Sequence, residues 1–232
     1  MIKAVLFDLD DTLFDHKHSR LCGLAALQVR FPKLKAVPLE ELEREHEKLL
    51  SLDYHLVLDG KISILDGTVM RVRKLCLAYI EGFSEQEAKE AGDLYNSVYM
   101  KSRQPVPGSI ELLKHVRQSA KVGVVTNGLV NAQIEKLKIC QIAGFIDFMV
   151  TSEEVGFKKP SKEIFQEAIR RAQAEPSEAV YVGDSWESDI VPSHNVGMKT
   201  VWLNRYGLSC PNPKITVEIK SFIGIKYREL FS

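Results

Sequence analysis

The stretch KAVLFDLDDT, residues 3–12, decides the fold. Lys3 to Leu9 is a short apolar run interrupted at Asp8 and then closed by Asp10 and Asp11. Its apolar residues are consecutive rather than alternating, and the run is too short for a core helix, so it suits a strand buried on both faces of a parallel sheet. Four similar runs follow, Val122 to Thr126, Phe145 to Thr151, Ala179 to Gly183 and Thr200 to Leu203. Helical patterns lie between them at Ser109–Ser119, Asn131–Ile142, Ser161–Ala172 and, more briefly, Asp189–Asn195. Strand alternating with helix predicts an α/β fold, a Rossmann-like doubly wound parallel sheet. Right-handed crossovers from a central first strand give the expected order 5-4-1-2-3.

Residues 15–103 break this pattern. No convincing strand occurs there, and the apolar residues follow helical spacing. Ile62, Leu65, Val69, Val72, Cys76 and Tyr79 trace one helix face. Ser84 with Glu87 makes a capping box that opens the next helix. Leu24, Leu27 and Phe31, then Leu39, Leu42 and Leu49, indicate two more, which predicts an inserted α-helical domain of about four helices. Pro105, Pro107 and Gly108 mark the return to the sheet. The expected organisation is a catalytic core from residues 1–14 and 104–232, with a helical bundle at 15–103. The glutamate-rich segment Glu40 to Glu47 reads as a solvated helix face, and His16 to Arg20 as exposed polar loop.

At 232 residues, with 45% hydrophobic and 27% charged residues, the chain is long and apolar enough for a sizeable core and unlike a disordered one. Lys plus Arg and Asp plus Glu number 31 each, so no overall field favours a nucleic-acid polymer or an anionic membrane. No apolar stretch reaches transmembrane length. Asp8 and Asp10 interrupt the only apolar run near the N-terminus that a secretory leader could use. The four cysteines are scattered, without the close pairs of a zinc site or a disulfide framework, and are expected to be reduced thiols of a cytoplasmic protein.

In an open parallel sheet, ligands bind beyond the carboxyl ends of the strands. The expected strand ends read Asp8-Leu9-Asp10-Asp11-Thr12, Thr126-Asn127-Gly128 and Gly183-Asp184-Ser185 followed by Asp189, with Lys159-Pro160 ahead of the helix that leads into the fourth strand. Any one of these could be a turn or a cap. Together they supply several carboxylates, a hydroxyl and an ammonium, the inventory that holds a divalent cation and a phosphoryl group. Mg²⁺ prefers oxygen ligands and keeps several waters, so Asp8 and Asp184 are its natural direct ligands.

These four segments, D-L-D-D-T, T-N-G, K-P and G-D-S-x-x-x-D, resemble in order the motifs of the haloacid dehalogenase superfamily, and the resemblance spans nearly the whole chain. The insertion after the first motif looks like the helical cap of many members. The resemblance implies a phosphatase that acts on a small phosphorylated metabolite, as a monomer or homodimer. It makes Asp8 the nucleophile that forms an aspartyl-phosphate and Asp10 the general acid, then general base. Thr126 and the Asn127 backbone N–H would hold phosphoryl oxygens, and Lys159 would neutralise charge as the two anions meet. Magnesium would take Asp8, Asp184, the Asp10 carbonyl and Asp189, the last directly or through water. Lys158 is the competing lysine, and Lys159 is preferred because it directly precedes Pro160.

A dehalogenase of that superfamily would need neither a second acid two residues on nor magnesium, and Asp10 argues against it. A phosphomutase would use the same site, redirected by the cap. A phospho-accepting regulatory protein also combines an acidic pair, a threonine and a lysine on a parallel sheet, but its spacing does not match. The D-L-D-D-T start and the W-L-N ending of the fifth strand, Trp202-Leu203-Asn204, are similar to those of bacterial pyrimidine 5′-nucleotidases, which favours a nucleotide over a sugar phosphate.

Overall fold

A computed structural model of the chain describes residues 1–225 and 230. The chain divides into two compact units, Met1–Asp15 with Gln104–Ser232, and His16–Arg103. No helix among the described residues is long and apolar enough to cross a membrane, and all four cysteines are free thiols.

The second unit contains four α-helices, α1 (His16–Arg30), α2 (Leu39–Leu58), α3 (Ile64–Leu77) and α4 (Glu85–Lys101). Leu24, Leu27, Leu42, Val72, Leu75, Ala88 and Tyr95 pack into one buried cluster. Each leucine so buried contributes about 1.5–3 kcal/mol, which is why these faces turn inward. Ser84 and Glu87 exchange both bonds of the expected capping box. Ser63 caps α3 by accepting from the Asp66 N–H, so Ile62 lies ahead of that helix. The buried face of α3 is Thr68, Arg71, Val72, Leu75 and Cys76, while Leu65, expected in the apolar stripe, is exposed. Polar Thr68 and Arg71 hid the true face from hydrophobic periodicity.

Two more expectations fail in this unit. His16 to Arg20 opens α1 rather than forming a loop, and Arg20 is buried. Its guanidinium donates to the Glu43 carboxylate at 2.7 Å, which takes Glu43 out of the solvated face expected for residues 40–47. A second buried pair joins Arg71 to Asp53 at 2.8 Å. His46 lies buried against Tyr95, ring centroids 5.1 Å apart, and neither ring nitrogen has a hydrogen-bond partner.

Burial pushes the His46 imidazole down to about 3, and the charges of Arg71 and Arg20 push it the same way. The folded protein therefore keeps this ring neutral where the unfolded chain, titrating near pH 6.5, takes up a proton, and stability falls as pH falls below that value. Between pH 7 and pH 4 the loss from this one group is expected to be about 3 kcal/mol. His46→Phe, which keeps a ring against Tyr95, should flatten the acid side of the stability curve by that amount. Urea unfolding of both proteins across the range checks it, and parallel slopes would remove His46 as the cause.

The first unit holds a six-stranded, all-parallel sheet built from β1 (Ala4–Phe7), β2 (Lys121–Thr126), β3 (Phe148–Thr151), β4 (Ala179–Gly183), β5 (Lys199–Leu203) and β6 (Val217–Ile219). Its order is β3-β2-β1-β4-β5-β6. The first five strands follow the expected order, with β1 central, and the sixth extends the edge beside β5. β6 has three residues, none fully buried, so it carries no apolar run to read. β1 is buried throughout, as a strand paired on both sides and covered on both faces must be. Among the described residues this unit carries the helices α5 (Ser109–Val116), α6 (Val130–Ile139), α7 (Ser152–Val155), α8 (Lys162–Ala172) and α9 (Val191–Asn195). α8 buries Ile164, Phe165, Ala168 and Ile169 in a cluster with Leu6, Val125, Val150 and Tyr181. α9 is short, and Pro192 fits because it falls in the first turn, where its missing N–H has no helical acceptor.

Candidate active site

The site begins where β1 ends. Asp8 follows the last strand residue, and its N–H donates to the Val182 carbonyl at 2.9 Å, so pairing with β4 continues through it. The loop beyond is tight. Asp11 adopts a positive φ of 63°, and its N–H donates to the Phe14 carbonyl at 2.7 Å. Side chains that enter the site from β1 therefore come from a short, internally bonded turn.

Lys159 is the centre of the charge arrangement. Its ammonium donates to the Asp8 carboxylate at 2.5 Å and to the Asp189 carboxylate at 2.7 Å, with the Tyr181 hydroxyl at 3.4 Å. Lys159 is only 6% exposed and Asp189 1%. Burial by itself would drive the ammonium to lose its proton, but Asp189 and Asp8 outweigh it and hold Lys159 charged well above the usual lysine range. Asp8 moves up to about 7 because burial raises it more than Lys159 lowers it, and the Asp189 charge adds to the rise. Lys158, the competing lysine, is exposed.

Asp184 ends the β4 segment. Burial, then the neighbouring charges of Asp8 and Asp189, push it well above the carboxylate range. Its carbonyl accepts from the Trp202 indole at 2.8 Å, and the Thr12 hydroxyl approaches its carboxylate at 3.5 Å. A π-helical turn, Trp186–Ile190, then returns the chain so that Asp189 points back. Oxygens of Asp8, Asp184 and Asp189 all lie within 4.8 Å of one another. Gly183 is what allows this approach, since a Cβ there would sit 2.5 Å from the Asp189 Cβ. Both Asp189 oxygens already accept protein donors, one from Lys159 and Tyr181, the other from the Ser185 N–H at 3.1 Å.

β2 ends in Thr126, whose hydroxyl oxygen accepts from the Gln133 amide at 3.0 Å. The Asn127 side chain clamps the Lys159 backbone. Its oxygen accepts from the Lys159 N–H at 2.7 Å, and its amide donates to the Lys159 carbonyl at 3.0 Å. The Gly128 N–H donates to the Ser152 hydroxyl at 3.1 Å. The T-N-G segment thus positions the lysine loop as well as its own groups.

Asp8, Asp184, Asp189 and Lys159 converge, with Asn127 tied to Lys159 from β2. Asp10 sits in the same turn as Asp8, and Lys136 of α6 donates to both its carboxylate oxygens at 2.6 and 2.8 Å. Three residues escaped the sequence reading, Lys136, Gln133 and Arg205. Arg205 forms a two-bond pair with Asp15 at 3.1 and 2.9 Å. Gln133 and Lys136 stand three apart, on one face of the helix that follows T-N-G, and that spacing is the signal that could have found them.

The chain is similar in sequence and in fold to known proteins. The model of the family described as haloacid dehalogenase-like hydrolase matches residues 2–197. Among curated relatives, the glyceraldehyde 3-phosphate phosphatase of Methanothermobacter thermautotrophicus is 32% identical over 88% of this chain and 86% of its own. The Escherichia coli pyrimidine 5'-nucleotidase YjjG is 31% identical over 87% of this chain and 86% of its own. The crystal structure of the HAD-hydrolase YfnB from Bacillus subtilis aligns with a TM-score of 0.71 and 24% identity, covering 95% of each chain. With a family model covering most of its length and relatives above 30% identity along nearly all of it, this chain belongs to the haloacid dehalogenase-like hydrolase family.

Proposed function

We propose that the chain is a magnesium-dependent phosphatase that hydrolyses a small phosphomonoester through an aspartyl-phosphate on Asp8. The observation that carries this reading is the buried Lys159 ammonium set between Asp8 and Asp189, with Asp184 within 4.8 Å. A carboxylate nucleophile needs a cation beside it before it can approach a negative phosphoryl group, and Lys159 is placed to supply that charge.

In the first step an Asp8 oxygen bonds to phosphorus as the bond to the leaving oxygen breaks, and Asp10 gives that oxygen a proton. In the second, Asp10 takes a proton from water, the water oxygen bonds to phosphorus, and Asp8 is released. Gln133 donates to the Thr126 oxygen, so the threonine proton is left to donate to a phosphoryl oxygen. The Asn127 backbone N–H is the second donor in this reading.

The donor set fits a hard cation. Three close carboxylates face one buried ammonium, an excess of negative charge made wholly of oxygen ligands. Asp8, Asp184 and the Asp10 carbonyl would hold Mg²⁺, and Asp189, whose oxygens are engaged by Lys159, Tyr181 and Ser185, would act from behind through water. When bound, the cation offsets charge on the phosphoryl oxygens.

Hydrolysis of p-nitrophenyl phosphate is expected with Mg²⁺, lost on chelation and restored by adding the metal back. Turnover undiminished after exhaustive chelation would sink the metal assignment. The relatives named for glyceraldehyde 3-phosphate and pyrimidine nucleotides support a small phosphorylated metabolite as substrate. A screen of such metabolites with purified protein identifies which.

A further inference from the structure

We propose that Lys136 is a positioning residue that holds the Asp10 carboxylate where it can exchange protons with the leaving oxygen and with water. The inference rests on the acid–base reading of Asp10. Lys136 reaches the first loop from α6, a helix far away in sequence, and its ammonium grips both Asp10 oxygens. It is itself held in place. Its side chain is 14% exposed, and the ammonium lies 5.3 Å from the centroid of the buried Phe14 ring. Phe14 in turn bridges the Asp10 backbone and accepts from the Asp11 N–H at 2.7 Å. The pair therefore closes a ring of contacts around the turn that carries Asp10.

Position is what this carboxylate needs. Asp10 lies in a turn with Asp8 and Asp11, and its charge acts against that of Asp8, so the two-bond pair with Lys136 offsets a repulsion and restricts the torsions of the side chain. A proton-transfer group must stay within hydrogen-bond reach of its partner, and a misplacement of about 1 Å costs on the order of 100-fold. The same face of α6 carries Gln133 onto Thr126, so one helix fixes both a phosphoryl-binding group and the acid–base group.

The two-step chemistry separates positioning from general damage. p-Nitrophenolate is a good leaving group, so with p-nitrophenyl phosphate the first step depends on Asp10 far less than the second. Phenyl phosphate, of nearly the same shape, has a more basic leaving group and needs Asp10 in both steps. For Lys136→Met, kcat with p-nitrophenyl phosphate is expected to fall roughly tenfold or more while kcat/KM holds, because KM falls in parallel. With phenyl phosphate kcat/KM should fall as well. Lys136→Arg should recover most of the loss, and Lys136→Met added to Asp10→Asn should cost nothing further. Lys136→Gln replaces Lys136→Met if the latter fails to fold. An equal fall in kcat/KM on both substrates, or additive losses in the double variant, would overturn the proposal. If Asp10→Asn alone shows no dependence on leaving group, the acid–base reading of Asp10 fails and takes this proposal with it.

Discussion

The Asp8→Asn protein is expected to form no covalent phosphoenzyme with any substrate and to lose turnover by roughly 10⁴-fold or more, the scale on which enzymes respond to removal of a nucleophile. The amide keeps the size of the side chain at the end of β1 but not its charge. The contact between Lys159 and Asp8, now 2.5 Å, loses its ionic character, while the pair with Asp189 remains to hold the lysine. Asp10→Asn should behave differently. Its nucleophile is intact, so both steps slow by roughly 10²–10⁴-fold in proportion to their need for proton transfer. With p-nitrophenyl phosphate the first step suffers less than the second, and phosphate should accumulate on Asp8. Rapid quenching followed by intact-mass measurement reads this directly, with an adduct in Asp10→Asn and none in Asp8→Asn. An adduct in the Asp8→Asn protein, or wild-type turnover by it, means that another residue is the nucleophile.

Lys159→Met carries the second large effect, and it acts on stability as well as rate. The ammonium is buried between two carboxylates, so removing it leaves uncompensated charge in a low-dielectric site, a change that costs about 3–5 kcal/mol when one partner of a buried pair is lost. Turnover should fall by roughly 10²–10³-fold or more, because Lys159 is the cation paired with Asp8 and without it the nucleophile meets the phosphoryl group with no neighbouring positive charge from that pair. Lys158→Met is the control, since that side chain is exposed and should leave both properties within error of wild type. Urea unfolding and steady-state kinetics on the two variants decide the matter. Equal behaviour of the two would mean that the buried ion pair has no part in the chemistry.

Lys158 and Lys159 also show how far sequence reasoning reaches. Both precede a proline within two residues and both are plausible phosphate partners. Position beside Pro160 favoured Lys159, and burial against Asp8, Asp189 and Tyr181 is the physical difference between them. The same holds for Asp189. Its place five residues after Asp184 marked it for the site, but its engagement by Lys159, Tyr181 and Ser185 is visible only once the π-helical turn has folded it back.

The sequence by itself determined the alternation of strands and helices, the central place of β1, the helical character of residues 15–103 and the segments that meet at the carboxyl ends of the strands. These follow from local rules. Apolar runs, capping residues and turn residues act over a few positions, and right-handed crossovers convert their order into sheet order. Only the tertiary structure decided the pairings of charged side chains. Lys136 with Asp10, separated by 126 positions, Arg205 with Asp15, separated by 190, and Arg20 with Glu43 leave no periodic trace. Arg20 and Glu43, expected at the surface, and Arg71 are all buried. Hydrophobic patterning ranks a charged residue as exposed, and a charge goes inside only when a partner, brought by folding, offsets its lost hydration.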